Sequence, residues 1–494
     1  MSATDQRDTD ARPVPRWTHV DDIYVGGAWR ASTATARLPL VDPANGQEWG
    51  SVPDCSGDDV DRALTAADRA FRGGAWPRTT PSERAALLLR VADEVESRAE
   101  EMAVTNTLEN GTPISETRNA AANAAGILRH VAGLAGWLEE EDLRPFPAGG
   151  AETLVRRDPV GPCVLIAPWN FPINLMVVKL APALLAGCTV VMKPAPGTSA
   201  SIRFVVEACE AAGIPPGVVN LVTGGGEVGD RLVRHPQTAK VAFTGSTPVG
   251  RRIGAACGER LRPVTLELGG KSSALVLPDA DLDKLASVLI RTCLRNTGQT
   301  CYIATRVLAP ASRYDEVVDV VTRTVAGAPQ GDPFDERTVF GPMASAAQYD
   351  VVRGFLDSAR AEGARATTGG RVLEGEGFFI EPTVFADVTP EMRIAREEVF
   401  GPVLSVLRYE EVDDAVALAN NTTFGLGGVV FSEDPETALA VAERMDTGSV
   451  GVNFFGSNHN APFGGRHDSG LGMEYGIEGL SQYVTYKSIH RRVG

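Results

Sequence analysis

Two segments in the middle of the chain carry residues that could form a covalent ester intermediate and then hydrolyse it. Gly298-Gln299-Thr300-Cys301 supplies a thiol, and Leu266-Glu267-Leu268-Gly269-Gly270 supplies a carboxylate. A thiolate attacks a carbonyl far better than a hydroxyl does at neutral pH. A nearby carboxylate can then activate the water that cleaves the acyl-enzyme. The pair therefore indicates thioester chemistry, with Cys301 as the nucleophile and Glu267 as the general base.

Cys301 differs from the other cysteines of the chain. A free cysteine is most often a small buried side chain, and the surroundings of the other six are compatible with that role or with a polar loop. These six are Cys55, Cys163, Cys188, Cys209, Cys257 and Cys293. Cys301 instead follows a Gly-Gln-Thr turn and has no flanking aliphatic residues. An odd number of cysteines without CxxC spacing favours free thiols in a reducing compartment, so we expect a cytoplasmic protein.

Length and charge exclude several classes of function. A chain of 494 residues is expected to form two or three domains. The net charge of −16 and the lack of Lys/Arg-rich runs argue against nucleic-acid binding. Residues 1–16 are polar and predict a loose tail, not a signal peptide. Residues 173–192 approach the length of a membrane span, but Lys179, Pro182 and Gly187 divide them into a buried helix and a short strand.

Short aliphatic strands alternate with helical segments in two regions, which predicts parallel sheets covered by helices on both faces. The helical segment that begins near residue 81 starts with the capping box Thr80-Pro81-Ser82-Glu83. In the first region, from about 160 to 275, the predicted strands are 164–166, 189–192, 218–222, 241–244 and 274–277. In the second region, from about 305 to 465, they are 306–308, 403–407, 428–431 and 449–453.

Two further segments read as exposed ribbons. Residues 152–157 are extended, and residues 482–490 are rich in β-branched and aromatic side chains. Such ribbons would leave unpaired strand edges in a monomer. We therefore expect them to pair with another subunit.

Two glycine loops could bind a dinucleotide. Gly224-Gly225-Gly226-Glu227-Val228-Gly229 matches GxGxxG between a predicted strand and a helix. The fingerprint is incomplete, because no acid stands about 20 residues on, where the ribose would be bound. Gly245-Ser246-Thr247-Pro248-Val249-Gly250 also follows a strand and opens a helix, which would place backbone N–H groups near a pyrophosphate. Either loop alone could be an ordinary tight turn.

Metal and serine-hydrolase chemistry find no support in the sequence. The acidic segment 279–283 resembles the start of a calcium loop, but Lys284 and Ile290 occupy the positions that need glycine and glutamate. The histidines are scattered without ligand spacing, and no GxSxG motif is present. We expect no metal.

Further motifs indicate a family. They are Ala167-Pro168-Trp169-Asn170-Phe171-Pro172, Lys193-Pro194, Glu397-Glu398-Val399-Phe400-Gly401-Pro402 and Pro462-Phe463-Gly464-Gly465. Together with the Glu267 and Cys301 segments, in this order and spacing, they resemble the aldehyde dehydrogenase superfamily from about Tyr24 to His490. The resemblance implies an α/β fold with a Rossmann-like coenzyme domain, a second α/β catalytic domain and a small β-ribbon oligomerisation element. The implied bounds are 17–137 and 158–263 for the coenzyme domain, 264–465 for the catalytic domain, and 138–157 and 478–494 for the oligomerisation element, after a flexible tail at 1–16.

The resemblance also implies a mechanism. The residue at Cys301 attacks the aldehyde, and the Asn170 amide and the Cys301 backbone N–H hold the resulting oxyanion. Hydride then leaves to the nicotinamide, and Glu267 activates the water that hydrolyses the thioester. Glu474 would serve as a proton relay. The implied partners are a small aldehyde and one or three further copies of the chain, with no nucleic acid and no membrane.

The cofactor residues follow from the same likeness. Glu398 would bind the nicotinamide ribose, Phe400 would lie beside the nicotinamide, and Lys193 would contact the adenosine ribose. The full expected set is Trp169, Lys193, Gly226, Gly229, Gly245, Ser246, Gly250, Glu398 and Phe400. Pro196 stands where members that prefer NAD often carry a glutamate, so NADP is not excluded electrostatically. No extra arginine is evident to bind a 2′-phosphate, and NAD is the expected cofactor.

The implied substrate tunnel is dominated by aromatic side chains. By likeness its borders are Asn123, Phe171, Val178, Thr300, Tyr302, Phe455, His459 and Phe463. This lining is compatible with an aromatic, terpenoid or medium-chain aldehyde.

Two other functions are weighed against aldehyde oxidation by water. A CoA-acylating relative would share Cys301 but usually lacks the glutamate at the position of Glu267. A non-catalytic structural relative would have no need for both residues.

Overall fold

The structure is a computed structural model that describes residues 19–493. The tail predicted at residues 1–16 lies outside this range. The described chain contains two large β-sheets, and helices connect most of their strands. The prediction of an α/β fold with two sheet regions is confirmed.

The first sheet has a Rossmann-like core. Five parallel strands lie in the spatial order third, second, first, fourth, fifth along the chain, which is the order of doubly wound dinucleotide-binding sheets. Antiparallel strands flank this core on both sides. In spatial order the strands are Trp29–Ala31, Asp22–Tyr24, Val219–Leu221, Thr189–Lys193, Pro162–Ile166, Lys240–Thr244, Val264–Glu267 and Gly470–Leu471.

The second sheet is parallel except at one edge, where Arg365–Thr368 pairs antiparallel with its neighbour. In spatial order its strands are Arg365–Thr368, Thr383–Ala386, Val403–Tyr409, Arg306–Pro310, Ser273–Val276, Gly427–Phe431 and Ser449–Val452.

The change from one sheet to the other falls between Glu267 and Ser273. The strand predicted at 274–277 was assigned to the first region, but Ser273–Val276 lies in the second sheet, between Arg306–Pro310 and Gly427–Phe431. Conversely, Val264–Glu267 pairs with Lys240–Thr244 in the first sheet, although the predicted domain limit at 264 placed it in the second domain. Two short aliphatic strands in succession look alike in sequence, because the pattern encodes burial and not the partner strand.

A separate antiparallel sheet contains the two predicted ribbons. Val484–Arg492 pairs along its whole length with Ala151–Pro159, which in turn pairs with Asp142–Pro145. The ribbons therefore pair with each other within one chain. The expectation of pairing with another subunit is wrong for Ala151–Pro159, whose two sides are both paired here, whereas Val484–Arg492 is left as an edge strand. Side chains such as Tyr486 and Ile489 are exposed on this sheet. Two small two-stranded sheets complete the strands: Arg37–Asp42 with Gln47–Pro53, and Phe424–Gly425 with Arg466–His467.

Helices cover both faces of the two large sheets. The predicted capping box is present, because the Thr80 side chain accepts the Glu83 N–H and Glu83 accepts the Thr80 N–H. The α-helices are Gly57–Arg72, Pro81–Glu96, Ala99–Asn110, Ile114–Thr117, Ala120–Ala132, Ala135–Glu139, Pro172–Ala186, Ala200–Ala211, Gly226–Arg234, Thr247–Glu259, Leu282–Cys293, Tyr314–Ala326, Ala346–Ala361, Arg393–Arg396, Val412–Asn420, Pro435–Ala442 and Gly476–Ser481. Short 3-10 helices are Trp76–Arg78, Pro196–Thr198 and Ala311–Arg313.

Helix Pro172–Ala186 is buried at most of its residues and packs against Pro81–Glu96 and Ala120–Ala132. Each fully buried leucine, valine or methionine of such a helix contributes roughly 1.5–3 kcal/mol of transfer free energy. The apolar stretch at 173–192 is thus a buried helix followed by the strand Thr189–Lys193, as predicted. Within residues 19–493, no helix combines the length and apolar character needed to cross a bilayer.

Candidate active site

The candidate site forms where the parallel strands of the first sheet end. Pro162–Ile166 and Lys240–Thr244 are neighbours whose connections leave in opposite directions, and ligands bind outside the carboxyl ends of such strands. Each strand end delivers predicted residues to this edge. Trp169 and Asn170 follow Ile166, Gly245 and Ser246 follow Thr244, and Lys193 and Glu267 are themselves the last residues of their strands.

The loop that carries Cys301 has a strained backbone. Asn296, Thr297 and Gly298 are consecutive left-handed residues, with φ of 54°, 56° and 74°. A non-glycine residue in this conformation costs about 1–3 kcal/mol and persists only where its surroundings determine it. Those surroundings are present. Thr112 donates to Asn296 Oδ1 at 2.9 Å, and the Gly341 N–H donates to Thr297 Oγ1 at 3.0 Å.

Glycine is required at the third of these positions. A Cβ at Gly298 would lie 1.9 Å from the carbonyl oxygen of Gly401. The loop that carries the candidate nucleophile is therefore pressed against the segment that carries Glu398 and Phe400. One packing contact fixes the thiol relative to two predicted cofactor residues.

Asn170 lies against the same loop. Its Nδ2 donates to the backbone carbonyl of Gln299 at 3.0 Å, and the backbone carbonyl of Asn170 accepts from Asn296 Nδ2 at 3.1 Å. The side chain is 4% exposed. An amide nitrogen carries two hydrogens, so one N–H is left for another acceptor. With the backbone N–H of Cys301 two residues beyond Gln299, this arrangement can stabilise an oxyanion.

Among the seven cysteines, all within the described residues, Cys301 is the least buried as a residue. The other six are buried, whereas Cys301 is partly exposed. Burial of its sulfur, together with the charges of Glu398 and Glu267, raises the pKa of the Cys301 thiol well above its usual range. The resting group is therefore a protonated thiol. A positive charge bound nearby would lower this pKa and favour the thiolate.

Glu267 is a buried acid without a partner. It is 3% exposed, and neither carboxylate oxygen has a hydrogen-bond partner among the described residues. Burial and the nearby charge of Glu474 raise the pKa of Glu267, while Lys179 opposes them. Buried polar atoms are rarely left unpaired, so such a group points to a ligand or a water. A carboxyl with a raised pKa suits a general base near neutral pH.

A buried ion pair connects Glu267 to the interior. Lys179 donates to Glu474 Oε1 and, at 2.5 Å, to Thr244 Oγ1. Lys179 has no exposed surface and Glu474 is 7% exposed. The sequence predicted Glu474 as a proton relay but treated Lys179 only as a break in an apolar stretch. A single charge inside an otherwise apolar helix was the signal for its role.

Glu398 lies in the segment before strand Val403–Tyr409 of the second sheet and contacts the segment after Glu267. It accepts the Gly270 N–H at 3.0 Å, and its other oxygen lies 2.3 Å from where a Cβ on Gly269 would stand. Burial raises the pKa of Glu398 to about 7. Phe400 has a φ of 56°, and its ring meets the Trp169 ring edge-to-face at 5.3 Å. A residue from each sheet thus contributes to one wall.

The first glycine loop leaves backbone N–H groups at a helix N-terminus. Helix Thr247–Glu259 begins at Ser246, whose side chain makes no capping bond, so backbone N–H groups are available to an anion. Ser246 and Glu398 line one cleft of about 1240 Å³. A Cβ at Gly250 would lie 2.4 Å from Leu268 Cδ2, so glycine there allows the helix to approach the strand end.

The second loop lies beside Lys193. A Cβ at Gly229 would be 3.6 Å from Lys193 Cε, and at Gly226 it would meet open space. Burial lowers the pKa of Lys193 to about 8. The predicted residues thus fall into two groups, with Lys193, Gly226 and Gly229 at one end and the others around Ser246 and Glu398. These features fit an extended dinucleotide.

A continuous run of rings leads away from the thiol. Tyr302, next to Cys301, stacks on Phe455 with centroids 5.0 Å apart. From Tyr302 the contacts continue through Phe463, Tyr475 and His459 to His130 at centroid distances of 6.3, 6.2, 5.0 and 6.5 Å. Tyr475 and His130 were not predicted, because neither lies in a motif.

An arginine beside Tyr302 already has an acidic partner. Arg295 pairs with Glu116 and donates to the Tyr302 hydroxyl at 2.7 Å. It is therefore not free to anchor a carboxylate. Asn123 is exposed, and Val178 is buried in helix Pro172–Ala186.

Comparison with known proteins identifies the family. The model of the aldehyde dehydrogenase family matches residues 29–489. The chain belongs to the aldehyde dehydrogenase family. It is 49% identical over 469 residues to geranial dehydrogenase from Castellaniella defragrans, covering 95% of this chain and 98% of that protein.

Solved structures of aldehyde dehydrogenases have the same fold. The NAD-dependent aldehyde dehydrogenase from Sinorhizobium meliloti aligns with a TM-score of 0.93 at 38% identity, covering 96% of this chain and 95% of that one. A mutant of aldehyde dehydrogenase C from Pseudomonas syringae, in complex with NAD+ and octanal, aligns with a TM-score of 0.91 at 38% identity, covering 95% and 96%. The predictions of the family, its fold, aldehyde oxidation and NAD as cofactor are confirmed.

The Glu474 carboxylate should shift the acid limb of the pH profile of turnover, because its charge raises the pKa of Glu267. Glu267 must be ionised to accept a proton, so turnover falls as the pH drops through its raised pKa. In Glu474→Gln a like charge is removed and Lys179 loses its partner, and both changes lower the pKa of Glu267. The acid limb of steady-state kcat should move down by about one pH unit. In the control Glu478→Gln, an exposed acid four residues away, it should stay in place. An unmoved or raised limb in Glu474→Gln would contradict the coupling.

Proposed function

We propose that this enzyme oxidises uncharged, apolar aldehydes to carboxylic acids through a thioester on Cys301. The observation that carries the proposal is that the Cys301 thiol, the unpartnered carboxylate of Glu267 and a free amide N–H of Asn170 meet at the end of the ring series that begins at Tyr302. Each group has a separate step to perform.

The first half of the reaction builds the thioester. The Cys301 thiol first loses its proton to solvent. The thiolate then bonds to the aldehyde carbon, and the carbonyl oxygen becomes an oxyanion held by Asn170 Nδ2–H and the Cys301 N–H. When bound, the oxidised nicotinamide supplies a positive charge that favours the thiolate, and it accepts the hydride that leaves the carbon. The carbon is oxidised and remains bonded to sulfur.

The second half releases the acid. Glu267 takes a proton from water, whose oxygen adds to the thioester carbon while Asn170 again holds the oxyanion. The C–S bond then breaks and the thiolate is regenerated. The proton on Glu267 passes towards Glu474 and Lys179, the only buried ion pair beside it in the described chain.

The cofactor residues divide along the dinucleotide. Lys193 would bind the adenosine ribose, with Gly226 and Gly229 beside the adenine. Gly245, Ser246 and Gly250 would form the pyrophosphate turn, with Trp169 alongside. Glu398 would hold the nicotinamide ribose and Phe400 the nicotinamide. The open helix N-terminus at Ser246 and the burial of Lys193 support this order.

The aromatic wall defines the substrate class. Rings from Tyr302 to His130 offer a largely aromatic surface, and Arg295 beside Tyr302 is already paired with Glu116. Two similar proteins support a medium-length apolar substrate, namely geranial dehydrogenase and the octanal complex. Terpenoid, aromatic and medium-chain aldehydes therefore form the proposed class.

The domains and assembly follow the bounds predicted from the sequence, with Val264–Glu267 moved into the coenzyme domain. We assign residues 138–157 and 478–494 to an oligomerisation element in a homodimer or homotetramer, supported by the edge strand Val484–Arg492 and its exposed Tyr486 and Ile489. Seven free cysteines support a cytoplasmic location.

The assembly should depend on that edge strand. Light scattering of the wild-type enzyme at micromolar concentration should give the mass of a dimer or tetramer. Ile489→Lys should shift this mass towards the monomer, because it places a charge on the proposed contact. Val351→Lys, a matched change at an exposed apolar residue of another element, should not. A monomeric wild-type protein would contradict the proposal.

Glu267→Gln should separate the two half-reactions. Hydride transfer needs no base at Glu267, so mixing with NAD and octanal should still give a burst of about one reduced cofactor per site. Steady turnover should fall about 100-fold or more, because the hydrolytic water is no longer activated. Stopped-flow absorbance of reduced nicotinamide measures both. Cys301→Ser should lose both and the buried control Cys209→Ser neither. Loss of the burst together with turnover in Glu267→Gln would show that Glu267 is not confined to hydrolysis.

The substrate class can be ranked directly. Geranial, octanal and benzaldehyde should each have a kcat/KM at least about 10-fold above that of betaine aldehyde, since burying the cation costs its hydration and a linear series of rings, unlike a cage around the cation, does not offset that cost. Phe455→Ala should reduce the ratio of kcat/KM for the apolar aldehydes to that for betaine aldehyde, because it removes the ring that stacks on Tyr302. Reduced cofactor is followed by absorbance. Equal or higher kcat/KM for betaine aldehyde would overturn the proposed class.

A further inference from the structure

The adenosine end of the cofactor site lacks the carboxylate expected in its usual place. Pro196 stands three residues after Lys193 and begins the 3-10 helix Pro196–Thr198. A carboxylate near the ribose is the common device that binds its hydroxyls and repels a 2′-phosphate. Without such a carboxylate, an enzyme with a buried lysine at this site would also bind NADP.

Another acid reaches the same place from a different element. Asp54 directly follows the strand Gln47–Pro53, and its Oδ1 accepts the Gly225 N–H at 3.0 Å. Gly225 is the residue before helix Gly226–Arg234, and this helix carries Gly229 beside the Lys193 side chain. Asp54 is also a favourable charge partner of Lys193, which is 5% exposed.

The position of Asp54 is fixed by bonds on either side of it. Thr223 Oγ1 donates to the Pro53 carbonyl at 2.6 Å, and the Cys55 N–H donates to the Thr223 carbonyl at 3.2 Å. The hydrogen bond to Gly225 uses one oxygen of the carboxylate. Space is available in front of it, since a Cβ on Gly225 or Gly226 would meet no atom within 4 Å.

We propose that Asp54 is the residue that makes this enzyme prefer NAD over NADP, by accepting from the adenosine ribose and repelling a 2′-phosphate. The proposal rests on the placement of the adenosine ribose at Lys193 under the proposed function. Asp54 acts on binding only and takes no part in hydride transfer.

The balance of charges decides the preference. A vicinal diol can accept from Lys193 and donate to Asp54, so both ions are satisfied by the ribose of NAD. A 2′-phosphate gains the attraction of Lys193 but faces the Asp54 carboxylate in a partly buried setting, where like charges repel strongly. Without the Asp54 charge, Lys193 alone would favour the phosphate.

Binding to the enzyme without cofactor tests this independently of turnover. Isothermal calorimetry with 5′-AMP and with 2′,5′-ADP measures the contribution of the 2′-phosphate. Asp54→Asn is the sharp variant, because asparagine can still accept the Gly225 N–H while its charge is gone. The control is Asp58→Asn, which removes the same charge from an exposed position four residues on.

The wild-type enzyme should bind 5′-AMP more tightly than 2′,5′-ADP. In Asp54→Asn the ratio of the two affinities should move at least 10-fold towards 2′,5′-ADP, and the ratio of kcat/KM for NADP and NAD should move in the same direction. In Asp58→Asn both ratios should change less than twofold. An unchanged ratio in Asp54→Asn, or an equal loss of both ligands, would overturn the proposal and leave Asp54 as a brace for the glycine turn.

Lys193→Met separates failure of the inference from failure of the proposed function. If the ribose lies at Lys193, this variant should bind both nucleotides at least 10-fold more weakly than the wild type. Undiminished binding would show that the ribose lies elsewhere, which contradicts the cofactor placement itself. Weakened binding in Lys193→Met with an unmoved ratio in Asp54→Asn would overturn only the role of Asp54.

Discussion

A buried carboxylate without a partner is the constraint on which the rest of the site depends. Glu267 ends a strand in the first sheet, and no described group satisfies its oxygens. Leaving an acid in this state costs free energy that a merely structural residue would have no reason to bear. The Lys179–Glu474 pair lies close enough to change the pKa of Glu267. The charge of Glu267 in turn raises the pKa of the Cys301 thiol. The site therefore holds a base whose protonation is set by the protein interior.

The second requirement is a rigid approach between the two sheets. Cys301, Glu398 and Phe400 come from segments associated with the second sheet, whereas Asn170 and Glu267 come from the first. The left-handed turn at Asn296 to Gly298 and the left-handed Phe400 are held where these segments touch. Backbone strain of this kind persists only when packing determines it. The strained junction thus fixes the position of Cys301, the proposed nucleophile, relative to Asn170 and Glu267.

Much of this could be predicted from the sequence. Strands and helices followed from aliphatic runs and from the Thr80 capping box, because local periodicity encodes burial. Cys301, Glu267 and the cofactor motifs were recognisable as residue types in a fixed order. The order of strands was not readable, and this is why the strand at 274–277 was grouped with the first region although Ser273–Val276 lies in the second sheet.

Contacts between distant segments were also beyond the sequence. In the sequence Lys179 only interrupts an apolar run, and its contact with Glu474 exists only in the folded chain. Asp54 likewise lies far along the chain from Lys193. Tyr475 and His130 join the aromatic wall from segments that carry no motif. Positive φ at Asn296 and Thr297 is imposed by tertiary packing, since neither residue type requires it.

The most direct test of this account is to find the covalent intermediate. Glu267→Gln enzyme is mixed with NAD and octanal, quenched in acid after one turnover and digested, and the peptides are analysed by mass spectrometry. The account predicts an octanoyl group on the peptide that contains Cys301, and on no other cysteine. Reduced cofactor formed without any acyl group on Cys301, or an acyl group on a different residue, would contradict it.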